Sequence, residues 1–112
     1  MTPSQQAGAG PITFINVFEI DPALVESFLV GWRERAEFMS KQPGFRSFRL
    51  HRALTPETPF QLVNVAEWDS IDALRAATAQ PFFQESAQRS VADFEVTAHP
   101  AIYSVAVAVS AS

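Results

Sequence analysis

The sequence predicts a single small α+β domain with the element order strand, helix, strand, strand, helix, strand. A length of 112 residues suits one domain. Hydrophobic residues make up 47% of the chain and include ten Phe, which is enough to form an apolar core. Some segments alternate apolar and polar residues, whereas others repeat apolar residues every third or fourth position, so strands and helices are both expected. Residues 1–11 are small or polar and are expected to form a flexible tail ahead of one domain over residues 12–112.

The first half of the chain is predicted to form a strand, a helix and a second strand. Apolar alternation over Ile12–Ile20 indicates the first strand. Asp21 and Pro22 then suit the start of a helix, in which apolar residues recur at a spacing of four. A Pro-Gly pair ending at Gly44 predicts the end of that helix, and the second strand is expected over Phe45–Ala53.

The second half of the chain is predicted to form two further strands separated by a helix. A Pro-rich segment over residues 54–59 predicts a hairpin, which makes Phe60–Trp68 a third strand antiparallel to the second. A second helix is expected over residues 71–93, kinked or restarted at Pro81. Alternating Val and Ala then predict a long final strand over Val96–Val109.

The predicted four-stranded antiparallel sheet carries both helices on one face, which leaves its other face open. Monomers rarely expose a contiguous apolar surface, and closed two-fold dimers are the commonest homo-oligomers. We therefore expect a homodimer that pairs through this sheet face. A one-residue bulge in any strand would reverse the faces of that strand. The apolar residues that alternation places on the open face are Ile15, Val17, Phe48, Leu50, Val63 and Val65.

Charge and composition narrow the range of partners. The net charge is -4, and Lys and Arg are scattered singly, so no nucleic-acid partner is expected. The absence of Cys excludes disulfides, thiolate nucleophiles and Cys-ligated metal sites. The N-terminal segment lacks the pattern of a secretory signal, and no stretch reaches the roughly 20 apolar residues that would cross a bilayer. A cytoplasmic location without membrane contact is the expectation.

Three side chains capable of hydrogen bonding fall on strand faces that should point toward the helices. They are Asn16 in the first strand and Asn64 and Trp68 in the third. Asn64 and Trp68 are four residues apart, so they point the same way about 13 Å apart along the sheet. A buried amide without a partner costs about 1–3 kcal/mol, so the Asn pair indicates a pocket that hydrogen-bonds a ligand. The alternatives are that each Asn satisfies a backbone group and that Trp68 only packs.

These residues, in this order and spacing, resemble the antibiotic biosynthesis monooxygenase family over about residues 12–109. The resemblance implies a ferredoxin-like monomer, two of which pair their sheets into a dimeric α+β barrel, with a substrate pocket between sheet and helices. Some members oxidise anthrones or quinols with molecular oxygen and neither metal nor flavin, and others degrade haem. The resemblance rests on Asn16, the turn Pro43-Gly44-Phe45, the segment Asn64-Val-Ala-Glu-Trp68-Asp-Ser, Ala73-Leu74 and Phe82-Phe83.

Cofactor-independent oxygenation of a small aromatic, anthrone-like or quinol-like molecule suits these residues. An electron-rich phenolate or enolate can itself reduce O2, so the protein needs only to bind it, favour its anion and exclude water. Asn64 and Trp68 are the expected catalytic residues, because their N–H groups would hydrogen-bond a developing oxyanion. No cofactor and no metal is expected. The expected substrate-binding residues, many of them aromatic and suited to a flat ligand, are Asn16, Phe14, Phe18, Phe28, Trp32, Leu74, Phe83 and Arg89, with Phe82 beside them.

Two positions depart from the pattern of the anthrone oxygenases in this family. Leu74 stands where they have a pocket Tyr, and Arg89 is the nearest counterpart of their helix Arg, so the proton acceptor is unassigned. The axial His of the haem-degrading members has no counterpart between residues 71 and 94, which disfavours haem degradation. His51 and His99 are expected to be ordinary surface or core residues. A non-catalytic dimer that binds a hydrophobic ligand or acts in a stress response remains the alternative function.

Overall fold

The computed structural model describes residues 10–111, so most of the predicted N-terminal tail lies outside the described residues. The predicted fold class is confirmed: one four-stranded antiparallel sheet packs against helices in a ferredoxin-like α+β arrangement. None of the helices in residues 10–111 is long and apolar enough to cross a membrane. The elements are β1 (Ile12–Glu19), a 3-10 turn (Pro22–Leu24), α1 (Val25–Ser40), β2 (Phe45–Arg52), β3 (Phe60–Trp68), α2 (Ile71–Thr78), α3 (Pro81–Phe94) and β4 (Thr97–Tyr103).

Local sequence explains where the helices begin. The Asp21 carboxylate accepts a hydrogen bond from the Ala23 amide at 2.9 Å, ahead of the turn that leads into α1. The Ser70 hydroxyl caps α2 by accepting from the Ala73 amide at 3.0 Å. Pro81 is the first residue of α3, so the predicted restart divides the second helical segment into two helices.

The sheet has the strand order β2-β3-β1-β4, which places β1 and β3 at its centre. The two central strands pair antiparallel, and Asn16 lies directly opposite Asn64 in their register. The helix-facing side of the sheet is buried in two clusters of apolar side chains. One cluster includes Phe18, Phe28 and Leu62 and the other includes Trp68 and Leu74.

A β-bulge in β2 overturns the prediction that Phe48 and Leu50 lie on the open face. The register of β2 against β3 shifts between Phe45 and Ser47, so Arg46 is an extra residue without a partner. Beyond the bulge, Phe48 pairs with Ala66 and Leu50 with Asn64, on the side that faces the helices. Both side chains pack against the core clusters. Simple alternation failed here because one extra residue reverses every later position of the strand.

The final strand is shorter than predicted. β4 ends at Tyr103, although the alternation of Val and Ala continues to Val109. The pairing of β4 with β1 ends where Tyr103 meets Thr13, close to the first residue of β1. Residues 104–111 therefore have no neighbouring strand among the described residues. Val105, Val107 and Val109 are exposed, because an alternating pattern forms a strand only where a partner strand is present.

Candidate active site

A cavity of about 140 Å³ lies between the helix-facing side of the sheet and the helices. Its lining is mainly apolar, with a small number of polar side chains, as is usual for small-molecule sites. Nine of the eleven residues that the sequence predicted for a site lie on its wall. These nine are Phe14, Asn16, Phe18, Phe28, Trp32, Asn64, Trp68, Leu74 and Phe83.

Asn16 and Asn64 form the polar part of the sheet floor. The two residues are direct cross-strand partners, so their Cβ atoms are about 4.5–5.5 Å apart. Only 7% of Asn64 is exposed, and the Oδ1 atoms of both residues are buried without a hydrogen-bond partner among the described residues. Neither amide oxygen accepts a hydrogen bond from a backbone N–H among the described residues. The floor therefore holds two acceptors that a ligand hydroxyl could satisfy.

Trp68 closes one end of the cavity. It is the last residue of β3 and is 2% exposed, with its ring edge-on to Phe45 at a centroid distance of 5.3 Å. Its position on the cavity wall is therefore accompanied by substantial packing. A core role and a ligand-binding role are both consistent with this placement.

Aromatic side chains from β1 and α1 make up much of the remaining wall. The Trp32 ring lies 5.6 Å from the Phe18 ring and 6.2 Å from the Phe28 ring. Phe48 joins this group with its ring 6.1 Å from Trp32, although the sequence had placed it on the opposite face. Edge and face contacts of this kind hold the rings in fixed orientations, which suits a flat aromatic ligand.

Arg35 is the functional candidate that sequence reasoning missed. It lies on α1 facing the cavity and is 6% exposed. Its Nη1 atom donates hydrogen bonds to the hydroxyls of Ser86 and Ser90, each at 3.1 Å. The guanidinium carbon is 5.3 Å from the centre of the Trp32 ring and 5.9 Å from that of Phe28. The available signal was its spacing, because Arg35 follows Trp32 by three residues and so continues the apolar face of the helix.

The Arg35 guanidinium is strongly desolvated. Burial, and secondarily the positive charge of Arg89, lower the pKa of Arg35 from its ordinary value to about 10. Within residues 10–111, no Asp or Glu oxygen forms an ion pair with it. It remains cationic at neutral pH, so the apolar cavity carries a positive charge without a carboxylate partner.

Two of the residues that the sequence predicted for the site, Arg89 and Phe82, lie away from the cavity wall. Arg89 is exposed on α3 and is not part of the cavity lining, although its charge acts on Arg35. Phe82 is exposed, and its ring packs against Phe38 in a tilted arrangement with a centroid distance of 4.8 Å. The structure therefore brings Phe83, but not Phe82, to the cavity.

The two histidines lie on exposed strand positions outside the cavity. His51 Nδ1 is 3.3 Å from the carbonyl oxygen of Val63, and His99 Nε2 is 2.6 Å from a Glu19 carboxylate oxygen. Across the described part of the chain, no group of three or more His, Cys, Asp or Glu residues is arranged to hold a metal ion. The polar chemistry of the cavity therefore comes from amide, indole, hydroxyl and guanidinium groups.

Comparison with known proteins supports the resemblance seen in the sequence. Residues 11–89 match the family described as antibiotic biosynthesis monooxygenase. Over 77 residues the chain is 38% identical to deoxynogalonate monooxygenase of Streptomyces nogalater, a match that spans 67% of this chain and 61% of that protein. The structure of SnoaB, a cofactor-independent oxygenase from the same organism, is similar with a TM-score of 0.75 and 30% identity, covering 89% of this chain and 97% of that one.

A more distant structure shows how widely the fold occurs. A conserved protein from Methanosarcina mazei has a TM-score of 0.72 at 19% identity, over 89% of this chain and 96% of that one, which is a likeness of fold alone. The family match covers more than half of the chain and includes the strands that carry Asn16, Asn64 and Trp68. The chain therefore belongs to the antibiotic biosynthesis monooxygenase family.

Proposed function

We propose that this protein is a cofactor-independent monooxygenase that oxidises a small aromatic, anthrone-like or quinol-like substrate with O2. The observation that carries the proposal is the pair of amides, Asn16 and Asn64, whose oxygens have no hydrogen-bond partner among the described residues and which lie on the floor of a largely apolar cavity. A phenolic hydroxyl would donate to an amide oxygen, and an amide N–H would stabilise the oxygen once it is deprotonated. The description of SnoaB as a cofactor-independent oxygenase is consistent with this chemistry.

The reaction can be balanced without a reductant. The reacting carbon of the phenolate or enolate bonds to O2 and forms a hydroperoxide. The O–O bond then breaks while that carbon loses its remaining hydrogen as a proton and becomes a carbonyl. One oxygen atom enters the product and the other leaves as water, so all four electrons come from the substrate. The protein would contribute by holding the anion against Asn64 and Asn16 and by keeping water away from the reactive intermediate.

The volume of the cavity limits the size of the substrate that it can hold. A cavity of about 150 Å³ with apolar walls accommodates benzene, and the volume here is about 140 Å³. The cavity as it stands is therefore of the size of a single-ring molecule. A three-ring anthrone would require wall side chains such as Phe83 to move.

Oxygen uptake by metal-free protein tests the proposal. A panel of hydroquinones and anthrones should be consumed faster with protein than without it, and Asn64→Ala should lower kcat/KM about 100-fold if it removes an oxyanion donor. Trp68→Phe removes the indole N–H and should also lower the rate. Gln88→Ala, which removes an exposed amide on α3, is the matched control and should leave the rate unchanged. Uptake at the uncatalysed rate across the panel would contradict the proposal and favour a ligand-binding protein.

We further propose that the protein acts as a homodimer paired through the open face of the sheet. After correction for the bulge, the apolar residues at the centre of this face are Ile15 and Val17 of β1 and Val63 and Val65 of β3. They are register partners, because Ile15 lies opposite Val65 and Val17 opposite Val63. Burial of this contiguous patch by a second copy would remove apolar surface from water.

A further inference from the structure

A buried cation without an anionic partner is the most unusual feature of the cavity. Isolated charges are costly to bury, and buried Arg residues are usually paired with carboxylates. The chain contains twelve acidic residues, yet none within residues 10–111 forms an ion pair with Arg35. Within residues 10–111, the guanidinium is compensated only by the hydroxyls of Ser86 and Ser90 and by the faces of two aromatic rings, and none of these carries a negative charge.

Several hydrogen-bond donors on the α1 side of the cavity also have no acceptor among the described residues. Both hydrogen bonds of the guanidinium leave from Nη1, so Nε and Nη2 have no acceptor among the described residues. The indole Nε1 of Trp32, whose ring lies under the guanidinium, is a buried donor without an acceptor as well. The α1 side of the cavity thus carries unpaired donors, whereas the sheet floor carries the unpaired acceptors of Asn16 and Asn64.

We propose that Arg35 binds a carboxylate substituent on the aromatic substrate, which makes that substrate a hydroxylated aromatic acid. The carboxylate would lie against Arg35 and Trp32, and the hydroxyl that becomes the reactive phenolate would lie against Asn16 and Asn64. Ser86 and Ser90 are positioning residues, because they hold Nη1 from α3 and so fix the plane of the guanidinium.

A carboxylate matches this wall better than a phenolate does. A planar carboxylate can accept two parallel hydrogen bonds from a guanidinium, which a single phenolate oxygen cannot do. A carboxyl group with a pKa of about 4 is ionised before it binds at neutral pH, whereas a phenol with a pKa of about 10 is not. Arg89 strengthens the preference, because its positive charge lies close enough to Arg35 to lower the pKa of that residue.

The carboxylate site defines the substrate class of the proposed oxygenase. It rests on the proposed oxygenase activity only for what happens to the molecule after it has bound. Binding can therefore be measured without turnover. The probes are 2,5-dihydroxybenzoate and its neutral counterpart 2,5-dihydroxybenzamide, titrated calorimetrically under nitrogen at pH 7 so that oxygenation cannot consume them. The wild-type protein should bind the acid at least 10-fold more tightly than the amide.

Arg35→Met keeps most of the side-chain volume and removes the charge, so it should reduce this preference to about one. Arg33→Met is the matched control, because Arg33 is exposed on the same helix, and it should keep the preference. If Arg35→Met does not fold, the double variant Ser86→Ala and Ser90→Ala replaces it and should lower the preference at least threefold. Equal binding of acid and amide by the wild type, binding of neither, or an unchanged preference in Arg35→Met would overturn the inference.

Different results would refute the proposed oxygenase activity and the proposed carboxylate site. A preference for the acid that depends on Arg35, without oxygen uptake, would support the anion site and refute the oxygenase. Uptake of neutral quinols with no preference for the acid would support the oxygenase and overturn the anion site.

Discussion

At the scale of single residues, burial of charge distinguishes Arg35 from every other basic residue described. Burial lowers the pKa of Arg35 to about 10, below the ordinary value that it has in the unfolded chain. The unfolded chain therefore holds this proton more firmly than the folded protein does between these two values. The charged form destabilises the fold at neutral pH, and the free energy of unfolding rises as the pH increases above about 10 and the folded protein releases this proton. A buried charge that lowers the stability of the fold is typical of a binding site.

Replacement of Arg35 should therefore make the protein more stable. We expect Arg35→Met to raise the free energy of unfolding at pH 7 by about 1–3 kcal/mol, because it removes a desolvated charge while keeping apolar contacts. Arg33→Met should change it by less than about 0.5 kcal/mol, because Arg33 is exposed. Chemical denaturation followed by circular dichroism measures both values. A loss of more than about 1 kcal/mol in Arg35→Met would mean that its hydrogen bonds to Ser86 and Ser90 outweigh desolvation.

At the scale of elements, the turn between α1 and β2 positions the strand that carries the bulge. Gly44 has a φ of 86°, in the left-handed region that favours glycine. Its carbonyl oxygen accepts a hydrogen bond from the Asp69 amide at 2.8 Å, which ties the turn to the start of α2. A Cβ at position 44 would lie 2.5 Å from the Cβ of Ala73 in α2. Close approach of turn and helix thus depends on the missing side chain.

Substitution of two glycines by alanine compares the closely packed turn at Gly44 with an open position in α1. Gly44→Ala should lower the free energy of unfolding by about 2–4 kcal/mol, through backbone strain and the clash with Ala73. Gly31→Ala is the control, because a Cβ there meets nothing within 4 Å in the middle of α1. It should raise stability by about 0.5–1 kcal/mol through helix propensity. The same change in both variants, measured by urea denaturation, would show that the turn tolerates a side chain.

At the scale of the whole molecule, the bulge changes which residues are available for dimerisation. It removes Phe48 and Leu50 from the open face and leaves a smaller apolar patch on the two central strands. On β2, alternation after the bulge puts Ser47, Arg49 and His51 on that face. The predicted interface therefore has an apolar centre and a polar edge, as protein interfaces commonly do.

Introduction of a single charge on the open face of the sheet tests the proposed dimer interface. Wild-type protein should have a solution mass of twice 12.3 kDa by light scattering at micromolar concentration. Val65→Glu places a carboxylate in the centre of the patch and should shift the mass toward the monomer. Val30→Glu is the control, because Val30 is an exposed apolar residue on α1, and it should keep the dimer mass. A wild-type mass near 12.3 kDa would contradict the proposed dimer.

The sequence by itself determined the fold class, the order of the elements and nine residues of the cavity wall. These follow from local signals, namely alternation in β1 and β3, the spacing of apolar residues in α1, and the turn residues around Gly44 and Pro81. Tertiary structure alone decided the face of Phe48, the end of β4 and the hydrogen-bond partners of Arg35. Each of these depends on atoms far away in the chain: the register of β2 against β3, the length of β1 beside β4, and the hydroxyls that α3 presents to α1. Local periodicity carries no information about such partners, because it describes one element at a time.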